Sequence, residues 1–327
     1  MVPREGFALD VIRSGGLKGK SFMDRARGAW LVPLELADAW RLVSRRRPDL
    51  VIGVGGYSSG PVVLVAALRR VPTMLLEQNA VPGLTNRLLA HVVRSAAVTF
   101  ESTRPFFGSR AFVSGNPVRP EFLASVGPRQ ESADDRAPVT QVLVFGGSQG
   151  AHAINVAMVE AAALLAASRP RLRLVHQTGE RDVDMVRDAY RRAGVEAEVE
   201  PFLYDMGQQL ARADVVVCRA GATTLAEITA AGKAAILIPL PTATDDHQRK
   251  NAEALSAAGG AEVLLQPQAT GAVLAQRILD LAGDADRRRR IAAAARSLAR
   301  PDAAKAIVDR ALELLETSVV GFCGFRG

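Results

Sequence analysis

Short aliphatic runs alternate with longer stretches of helical periodicity along this chain, and each run is bounded by Gly, Pro or Asn. A strand that is buried on both faces reads as a continuous aliphatic run, so this alternation predicts parallel strands joined by crossover helices. A length of 327 residues is sufficient for about two such domains. The predicted strands are 50–54, 73–76, 97–99 and 111–113 in the first half, and 142–145, 172–176, 215–218, 235–238 and 262–265 in the second.

A weak internal repeat indicates that both halves have a nucleotide-binding type of α/β fold. DLVIGVGGYSSG and QVLVFGGSQG each read as a strand, two glycines, a serine, a further glycine and a helix. In an open α/β sheet such a loop lies beyond the carboxyl end of a strand, where backbone N–H groups can hold a phosphate. One loop alone is equally consistent with a tight turn, whereas two in register predict a diphosphate in a cleft between two domains. Ser148 would then offer its hydroxyl group, and Gly146, Gly147 and Gly150 would permit close backbone approach.

The charge balance favours anionic ligands. Lys and Arg number 41 against 34 Asp and Glu, a formal net charge of +7, which would attract phosphates, diphosphates or acidic lipid headgroups. The basic residues are dispersed and aromatic residues are only 5% of the chain, so no nucleic-acid partner is expected. No apolar run approaches the roughly 20 residues that span a bilayer, so any membrane contact is predicted to be peripheral. The two cysteines form no disulfide framework, which fits a reducing cytoplasm.

The domain boundary is predicted where turn-forming residues meet a polar segment. The motif GNPVRP at 115–120 combines Gly, Asn and Pro, and residues 125–138 are polar and charged without periodicity. The predicted domains are therefore 1–121 and 122–300. A C-terminal helix over 301–318 is predicted to pack back on the first domain, and residues 319–327 are predicted to form a tail.

Two loops of the second half carry residues suited to a nucleotide sugar. Thr224 and Glu227 have the spacing of a helix capping box, but Glu227 could instead accept the hydroxyl groups of a ribose. Gln248 supplies an amide for sugar hydroxyl groups. The adjacent Asp245 and Asp246 are interpreted as partners of a helix N-terminus, so no bound metal and no cofactor is predicted.

A catalytic base is harder to identify. Glu77, Gln78 and Asn79 directly follow a predicted strand, a pattern that fits either a binding site or a polar turn. His152 and His247 begin predicted helices, and neither has a carboxylate partner that the sequence reveals. No catalytic residue is therefore assigned from the sequence.

Taken together and in order, the loop motifs resemble those of the MurG family, the UDP-N-acetylglucosamine transferases that convert undecaprenyl-linked lipid I to lipid II. Each motif alone would be weakly specific, whereas all of them in the same order cover nearly the whole chain. The motifs are LDVIRSGGLKGK, GVGGYSSGP, EQNAVPGLTN, GNPVR, VFGGSQGA, CRAGATTLAEI and DDHQRKNA.

The resemblance implies the GT-B fold: two Rossmann-like domains whose parallel sheets face each other across a cleft, the first handling the acceptor and the second binding UDP-N-acetylglucosamine. It also implies an inverting displacement, in which a sugar hydroxyl group of the acceptor attacks the anomeric carbon of the donor while UDP leaves. The acceptor's diphosphate is expected at Gly55, Gly56, Tyr57, Ser58, Ser59 and Gly60. Donor contacts are expected from Asn79, Arg119, Ser148, the backbone of Leu203, Ala222, Thr223, Thr224, Leu225, Ala226, Glu227 on the ribose, and Gln248.

The resemblance further implies a peripheral location on the cytoplasmic face of the inner membrane, through an apolar patch surrounded by basic residues. An aromatic and basic surface would bind an anionic bilayer reversibly. For the segment 34–42, the alternative is an ordinary amphipathic helix that packs its apolar face inward. Candidates for the membrane surface are Lys18, Lys20, Arg25, Arg27, Trp30, Leu31, Trp40 and Arg45–Arg47.

The sequence departs from the family pattern at its start. In the family, a strand and a Gly-Gly-Thr-Gly-Gly-His loop precede the point where this chain begins, and the histidine of that loop is the favoured base. The first βα unit of the fold is thus expected to be missing. Two other functions stay open: a different GT-B enzyme that uses a UDP-sugar, such as a glycolipid synthase or a sugar epimerase, and a UDP-sugar-binding protein without catalysis.

Overall fold

The computed structural model describes residues 6–12, 22–56, 58–123, 139–147, 149–168 and 170–323. Within the first and last helices, side chains are described from Pro33 onward and up to Thr317. The chain divides into two compact units. One contains the residues up to Ser114 together with those from Ala304 onward, and the other runs from Gly115 to Ala303.

The first unit is built on a four-stranded parallel sheet in which each strand pairs with the next one along the chain. Parallel neighbours need a crossover connection, and helices provide it here. The register places Leu75 opposite Gly53 on one side and Ala96 on the other. The strands are β1 (Val51–Gly53), β2 (Thr73–Glu77), β3 (Ser95–Val98) and β4 (Ala111–Val113).

Helices cover both faces of this sheet. Successive residues of a strand point to opposite faces, so neighbouring side chains pack against different helices. Leu75 belongs to one buried cluster with Leu89, whereas its neighbour Met74 belongs to another with Ile307 and Leu314 of the last helix. The last helix therefore completes the core of the first sheet. The helical segments of this unit are α1 (Phe22–Arg46), α2 (Ser59–Leu68), α3 (Leu84–Leu89), the 3₁₀ segments Glu101–Phe106 and Gly108–Arg110, and the last helix (Ala303–Cys323).

The second unit contains a six-stranded parallel sheet in the order β10-β9-β8-β5-β6-β7. Counted from β5, this is the 3-2-1-4-5-6 order of a doubly wound dinucleotide-binding fold. The strand order reverses between β5 and β8. The strands are β5 (Val139–Phe145), β6 (Arg171–Gln177), β7 (Ala197–Glu200), β8 (Val215–Cys218), β9 (Ala234–Leu237) and β10 (Glu262–Val263).

Aliphatic side chains from the sheet and its helices form the core of the second unit. Val144, Met158 and Ile278 are fully buried in one cluster, and burying a side chain of this kind contributes roughly 1.5–3 kcal/mol. The helices are α4 (Pro120–Leu123), α5 (His152–Ala166), α6 (Val183–Ala193), α7 (Met206–Arg212), α8 (Ala222–Ala231), α9 (His247–Ala257), α10 (Gly271–Gly283) and α11 (Ala285–Ser297), with 3₁₀ segments at Thr244–Asp246 and Gln266–Gln268.

The two parallel sheets confirm the predicted α/β class, and each predicted strand overlaps an observed one. Strand β7 was not predicted. Across the part of the chain that is described, no helix is both long and apolar enough to cross a bilayer.

Candidate functional site

The strand order of the second unit indicates where a ligand would bind. In open α/β sheets the ligand crevice lies beyond the carboxyl ends of the strands, at the point where the strand order reverses. Here that point lies between β5 and β8. The loop after β5 (146–151) and the loop after β8 (219–221) each lead directly into a helix. The loop after β5, one of the two repeated glycine loops, and the loop after β8 thus both lie where the topology favours binding.

Two glycines hold the loop after β5 against the loop after β6. Gly150 and Gly179 have positive φ angles of 74° and 80°. A Cβ atom on Gly150 would overlap the carbonyl oxygen of Thr178, and a Cβ atom on Gly179 would overlap the carbonyl oxygen of Gln149. Glycine alone satisfies both the conformation and the contact at each position. Ser148, predicted to contact a diphosphate, lies outside the described residues.

Two helices begin at this edge of the sheet without a side-chain cap. The N-cap residues of α5 and α8 are Ala151 and Gly221, which have no side-chain oxygen to accept from the first turn. Helices α2, α3, α6, α7 and α9 also lack a side-chain cap, whereas side-chain oxygens of Thr270 and Asp284 cap α10 and α11. An anion can take the place of a cap and is favoured by the helix dipole. The two uncapped helix starts therefore suit the oxygens of a diphosphate.

Helix α8 begins earlier than a capping box would require. Its N-cap residue is Gly221, so Thr223 and Thr224 lie inside the first turn, and the capping-box interpretation of Thr224 with Glu227 is wrong. Thr223 is exposed and its Oγ1 accepts a hydrogen bond of 3.4 Å from Asn116 Nδ2. The other predicted site residues of this helix are Ala222 and Ala226, both half-buried, and Leu225, which is buried.

Glu227 is a largely buried carboxylate that pairs with Arg119. Arg119 Nη2 lies 3.3 Å from Glu227 Oε1. Burial raises the pKa of Glu227, the hydrogen bond and charge of Arg119 offset part of this rise, and the charge of Glu121 adds to it. Arg119 itself is exposed, lies 3.1 Å from Glu121 and stacks on the ring of Phe122. Two residues predicted to contact the donor are thus in direct contact with each other.

Gln248 joins two loops of the second unit. Its Oε1 accepts from the backbone N–H of Ala220 at 3.2 Å and of Leu240 at 3.0 Å. Asn251, which is fully buried further along α9, donates to Ala220 O at 3.3 Å. Because Gln248 Oε1 accepts from these two backbone N–H groups, the side-chain N–H groups of Gln248 are the part suited to a ligand.

Asp245 and Asp246 directly precede α9, with φ angles of 55° and 57°. Asp246 is the N-cap residue, and its Oδ2 lies 4.0 Å from Arg249 Nε. This position fits the predicted role of helix N-terminal partners. Within the described ranges, no group of three or more His, Cys, Asp or Glu side chains is arranged to hold a metal ion.

The segment after β7 presents backbone groups. Leu203, predicted to contact uracil through its backbone, has a buried side chain, and its N–H donates to Gln177 Oε1 at 2.9 Å. Of its two backbone groups, the carbonyl oxygen is therefore the one suited to a base, and the N3–H of uracil is a donor. Phe202 and Tyr204 on either side are exposed and form an edge-to-face pair with ring centroids 4.9 Å apart.

His152 has a carboxylate partner that the sequence did not reveal. It is the first residue of α5, and its Nδ1 lies 2.9 Å from Asp182 Oδ2, although the two residues are 30 positions apart. Asn155 Nδ2 donates to the same carboxylate oxygen at 2.8 Å. Burial alone would raise the pKa of Asp182, but the hydrogen bonds from Asn155 and His152, with the charges of His152 and Arg181, hold it below its ordinary value.

This network continues into the core and fixes the proton on His176. Asn155 Nδ2 donates to Thr178 O at 2.9 Å as well as to Asp182, so its Oδ1 is the atom that faces His176 Nε2 at 3.1 Å. That nitrogen therefore carries the proton, and His176 Nδ1 accepts from the Tyr190 hydroxyl group at 2.9 Å. Burial lowers the pKa of His176 to about 3, so this imidazole is neutral at physiological pH.

In the first unit, the loop after β1 lies beside the start of α3. Gly55 and Gly56 have φ angles of 87° and 80° and lead through Ser58 into α2. A Cβ atom on Gly60 would lie 3.1 Å from the methyl group of Thr85. Of the other predicted acceptor residues, Ser59 begins α2 and Tyr57 lies outside the described residues. The N-terminus of α2 is thus the helix start at which an anion held by this glycine loop would lie.

Glu77 organises the loop after β2. Its buried carboxylate accepts from the backbone N–H groups of Asn79 at 3.0 Å and Gly83 at 3.1 Å. It also accepts from the side-chain amides of Asn79 at 3.2 Å and Asn86 at 2.8 Å. The polar-turn interpretation therefore applies to Glu77. Asn79, a predicted donor contact, is positioned by this carboxylate.

The chain matches two models of one glycosyltransferase family. Residues 141–307 match the glycosyltransferase family 28 C-terminal domain, and residues 1–98 match the N-terminal domain of that family. A UDP-N-acetylglucosamine–N-acetylmuramyl-(pentapeptide) pyrophosphoryl-undecaprenol N-acetylglucosamine transferase of Pelobacter propionicus is 47% identical over 95% of this chain and 87% of its own length.

Solved structures are similar over most of the chain. A crystal structure of Acinetobacter baumannii MurG matches with a TM-score of 0.76 at 32% identity, covering 94% of this chain and 84% of that one. A UDP-GlcNAc 2-epimerase from Neisseria meningitidis, bound to UDP-GlcNAc, matches with a TM-score of 0.62 at 14% identity, covering 90% of this chain and 83% of that one. At such low identity the second likeness shows the fold alone.

Proposed function

The chain belongs to the MurG family of glycosyltransferases, and on this premise we propose that it transfers N-acetylglucosamine from UDP-N-acetylglucosamine to lipid I, giving lipid II. Lipid I is undecaprenyl-pyrophosphoryl-N-acetylmuramyl-pentapeptide. The observation that carries the proposal is the 47% identity to such a transferase over 95% of this chain. The second unit supports it with uncapped helix starts, a buried carboxylate and a backbone carbonyl group at one edge of its sheet.

Leu203 and Glu227 bind the nucleoside in this proposal. The uracil N3–H donates to the carbonyl oxygen of Leu203, and the ribose hydroxyl groups donate to Glu227. An ionised carboxylate accepts without donating, which suits two hydroxyl donors. Arg119 favours the ionised form because its hydrogen bond and charge offset part of the rise in pKa caused by burial. Arg119 also has an exposed side, which suits it for a phosphate oxygen.

The starts of α5 and α8 hold the donor's diphosphate in this proposal. UDP is the leaving group, so negative charge develops on its phosphate oxygens during the reaction. Backbone N–H groups at a helix start are already oriented toward such an anion. The glycines of the loop after β5 permit close approach, and the amide N–H groups of Gln248 are directed to sugar hydroxyl groups. The other residues of α8 from Ala222 to Ala226 shape the pocket.

The reaction is an inverting displacement. The hydroxyl oxygen of the acceptor forms a bond to the anomeric carbon while the bond from that carbon to the β-phosphate oxygen breaks. The electron pair of the broken bond leaves with UDP, and the hydroxyl proton passes to a base. Among the described residues we assign none as that base.

The glycine loop after β1 is the proposed site for the acceptor's diphosphate. Gly55 and Gly56 leave the backbone open at the start of α2, a helix that begins within a residue or two of the loop. The same helix-dipole argument therefore applies as for the donor. Asn79, which Glu77 positions, stays a proposed donor contact.

We place the membrane-binding surface on the first unit. Leu84 and Leu88 lie one turn apart on α3, with exposed fractions of 44% and 69%, and Val92 is exposed beyond them. The Arg87 guanidinium lies 5.9 Å from the centre of the exposed Phe106 ring, and Arg94, two residues beyond Val92, is also exposed. Apolar side chains with basic neighbours suit an anionic bilayer surface, and the proposed location is the cytoplasmic face of the inner membrane. We call Leu84, Leu88, Val92 and Phe106 the α3 patch.

The sequence offered other candidates for this surface. Lys18 and Lys20, and the side chains of Arg25, Arg27, Trp30 and Leu31, lie outside the described residues. Arg45 and Arg46 are paired with Asp10 at 2.5 Å and 2.8 Å. Trp40 is exposed and Arg69 stacks on it, whereas Ala39 and Val43 pack inward against α2, as the amphipathic alternative predicts.

Turnover of a soluble lipid I analogue by the purified protein tests the proposed function. With labelled UDP-N-acetylglucosamine, we expect equal amounts of UDP and of the disaccharide product. Turnover with a different acceptor, and none with the lipid I analogue, would assign the chain to another UDP-sugar reaction. Binding of UDP by calorimetry without turnover of any acceptor would favour the non-catalytic alternative.

A further inference from the structure

Gln177 occupies a central position at the ligand-binding edge of the second sheet. It is the last residue of β6, and the register places it opposite Phe145 at the end of β5 and Glu200 at the end of β7. Its side chain is almost fully buried, with an exposed fraction of 2%. A polar side chain at this depth needs hydrogen-bond partners.

The side-chain amide of Gln177 connects the loops that leave the two neighbouring strands. Its Nε2 donates to the carbonyl oxygen of Gly147 at 2.8 Å, and its Oε1 accepts from the backbone N–H of Leu203 at 2.9 Å. The orientation of the amide is unambiguous, because a carbonyl oxygen can only accept and a backbone N–H can only donate. One rigid amide group thus spans the glycine loop and the segment proposed to bind the base.

We propose that Gln177 is a positioning residue that sets the spacing between the uracil subsite and the diphosphate subsite, and so favours a ligand in which the base and the diphosphate are joined through one ribose. The inference rests on the proposed function, because those two subsites belong to the donor. Gly147 lies in the loop that leads to α5, where the diphosphate binds, and Leu203 offers its carbonyl group to uracil.

The physical reason is preorganisation of a ligand with two linked parts. A base and a diphosphate joined by one ribose bind together well only if their subsites are already at the matching distance. Backbone bonds from Thr178 N to Glu200 O and from Gly179 N to Pro201 O hold the segment after β7 against the end of β6. The Gln177 side chain extends this connection to the glycine loop after β5.

Calorimetry with UDP, uridine and inorganic pyrophosphate tests the inference in the whole chain. Gln177→Met removes both hydrogen bonds at similar volume, and Gln177→Glu keeps the acceptor for Leu203 while it replaces the donor to Gly147. We expect both variants to bind UDP at least about tenfold more weakly, since misplacing one part of a linked ligand forfeits much of its advantage. Uridine alone and pyrophosphate alone should each change by less than about threefold. In turnover, KM for UDP-N-acetylglucosamine should rise more than kcat falls.

A matched control separates positioning from general stability. Ser168→Ala removes a buried hydroxyl group whose oxygen lies 2.7 Å from Leu165 O and 3.2 Å from Pro170 O, at the opposite end of β6. It should lower the melting temperature and leave the three affinities unchanged. Equal losses for UDP, uridine and pyrophosphate in the Gln177 variants, or unchanged UDP affinity, would overturn the positioning role. Failure of the unmodified chain to bind UDP would instead overturn the proposed function, and this inference with it.

Discussion

Arg119 Nη2 lies 3.3 Å from Glu227 Oε1, and Arg119 thereby influences the charge of the Glu227 carboxylate, whose side chain is only 12% exposed. Burial raises the pKa of Glu227 above its ordinary value of 4.5, and Arg119 offsets only part of that rise. The ionised carboxylate is thus less favourable in the folded chain than in the unfolded chain. The contribution of Glu227 to stability is therefore fully present below the ordinary pKa and is lost as pH rises through the raised pKa.

Glu227→Gln should become more stable relative to the unmodified chain as pH rises, and it should bind the donor more weakly. Because the variant has no carboxylate to ionise, its free energy of unfolding relative to the unmodified chain should rise as pH increases from about 4 to about 7. Its affinity for UDP should fall about 10- to 100-fold, because a hydrogen bond to a charged group contributes roughly 1.5–3 kcal/mol. Urea denaturation across this pH range and calorimetry with UDP measure the two effects.

Arg119→Met and Glu253→Gln serve as controls for this prediction. Loss of Arg119 should make the decline in stability with rising pH steeper, since Glu227 then ionises without a partner. Glu253 is an exposed carboxylate on α9 whose pKa is lowered by Arg249 and Lys250, so its substitution should show the opposite pH trend, with a small amplitude. A relative stability of Glu227→Gln that is independent of pH would contradict the assignment.

Asp182→Asn should destabilise the chain most at neutral pH. The pKa of Asp182 is held below its ordinary value of 3.8, so its contribution is present above that value and is lost as pH falls through the lowered pKa. Replacing a carboxylate that accepts from Asn155 and His152 should cost about 2 kcal/mol at pH 7 and less at pH 3, below the ordinary pKa. Asp184→Asn, an exposed neighbour on α6, is the control and should change little. Equal losses at both pH values would show that the charge of Asp182 is not what matters.

The sequence predicted the strands and glycine loops because their pattern is local. Nine aliphatic runs were sufficient to predict the α/β class, whereas β7 reads AEVE and buries only Val199. An edge strand pairs on one side and needs little apolar surface, so its aliphatic signal is weak. The resemblance to the MurG family added the residue roles, which no periodicity contains.

Contacts between distant segments could not be predicted in this way. His152 and Asp182 are brought together by the pairing of β5 with β6, and no spacing in the sequence encodes that distance. Glu227 shows the opposite case, in which a local rule was misleading. A threonine three residues before a glutamate has the capping spacing, but the preceding Gly221 begins the helix instead.

Gly150→Ala and Gly179→Ala should weaken UDP binding as well as stability. Each methyl group would overlap a carbonyl oxygen of the facing loop, so the loop after β5 must move. Left-handed backbone costs a residue with a Cβ atom roughly 1–2 kcal/mol in addition. We expect UDP affinity to fall by at least about tenfold, because a small displacement of the phosphate-binding backbone is costly. Calorimetry with UDP and thermal denaturation measure the two losses.

Gly194→Ala is the matched control for these glycines. Gly194 ends α6 at a φ angle of 73°, but no atom lies within 4 Å of the position that a Cβ atom would take. It should therefore lose about 1 kcal/mol of stability from backbone strain alone and bind UDP normally. If Gly150→Ala and Gly194→Ala lower UDP affinity equally, contact between the two loops is not required for donor binding.

Leu84→Ser with Leu88→Ser should detach the chain from anionic vesicles without loss of chemistry. Both side chains are exposed in the α3 patch, so their replacement removes little from the core. Transfer of leucine side chains into a bilayer interface is favourable, and we expect the double variant to bind vesicles at least about tenfold more weakly. Turnover of a water-soluble lipid I analogue should be unchanged.

Leu164→Ser, a half-exposed leucine on α5 in the second unit, is the control and should sediment with vesicles like the unmodified chain. Equal vesicle binding by the double variant and the unmodified chain would move the membrane surface away from α3.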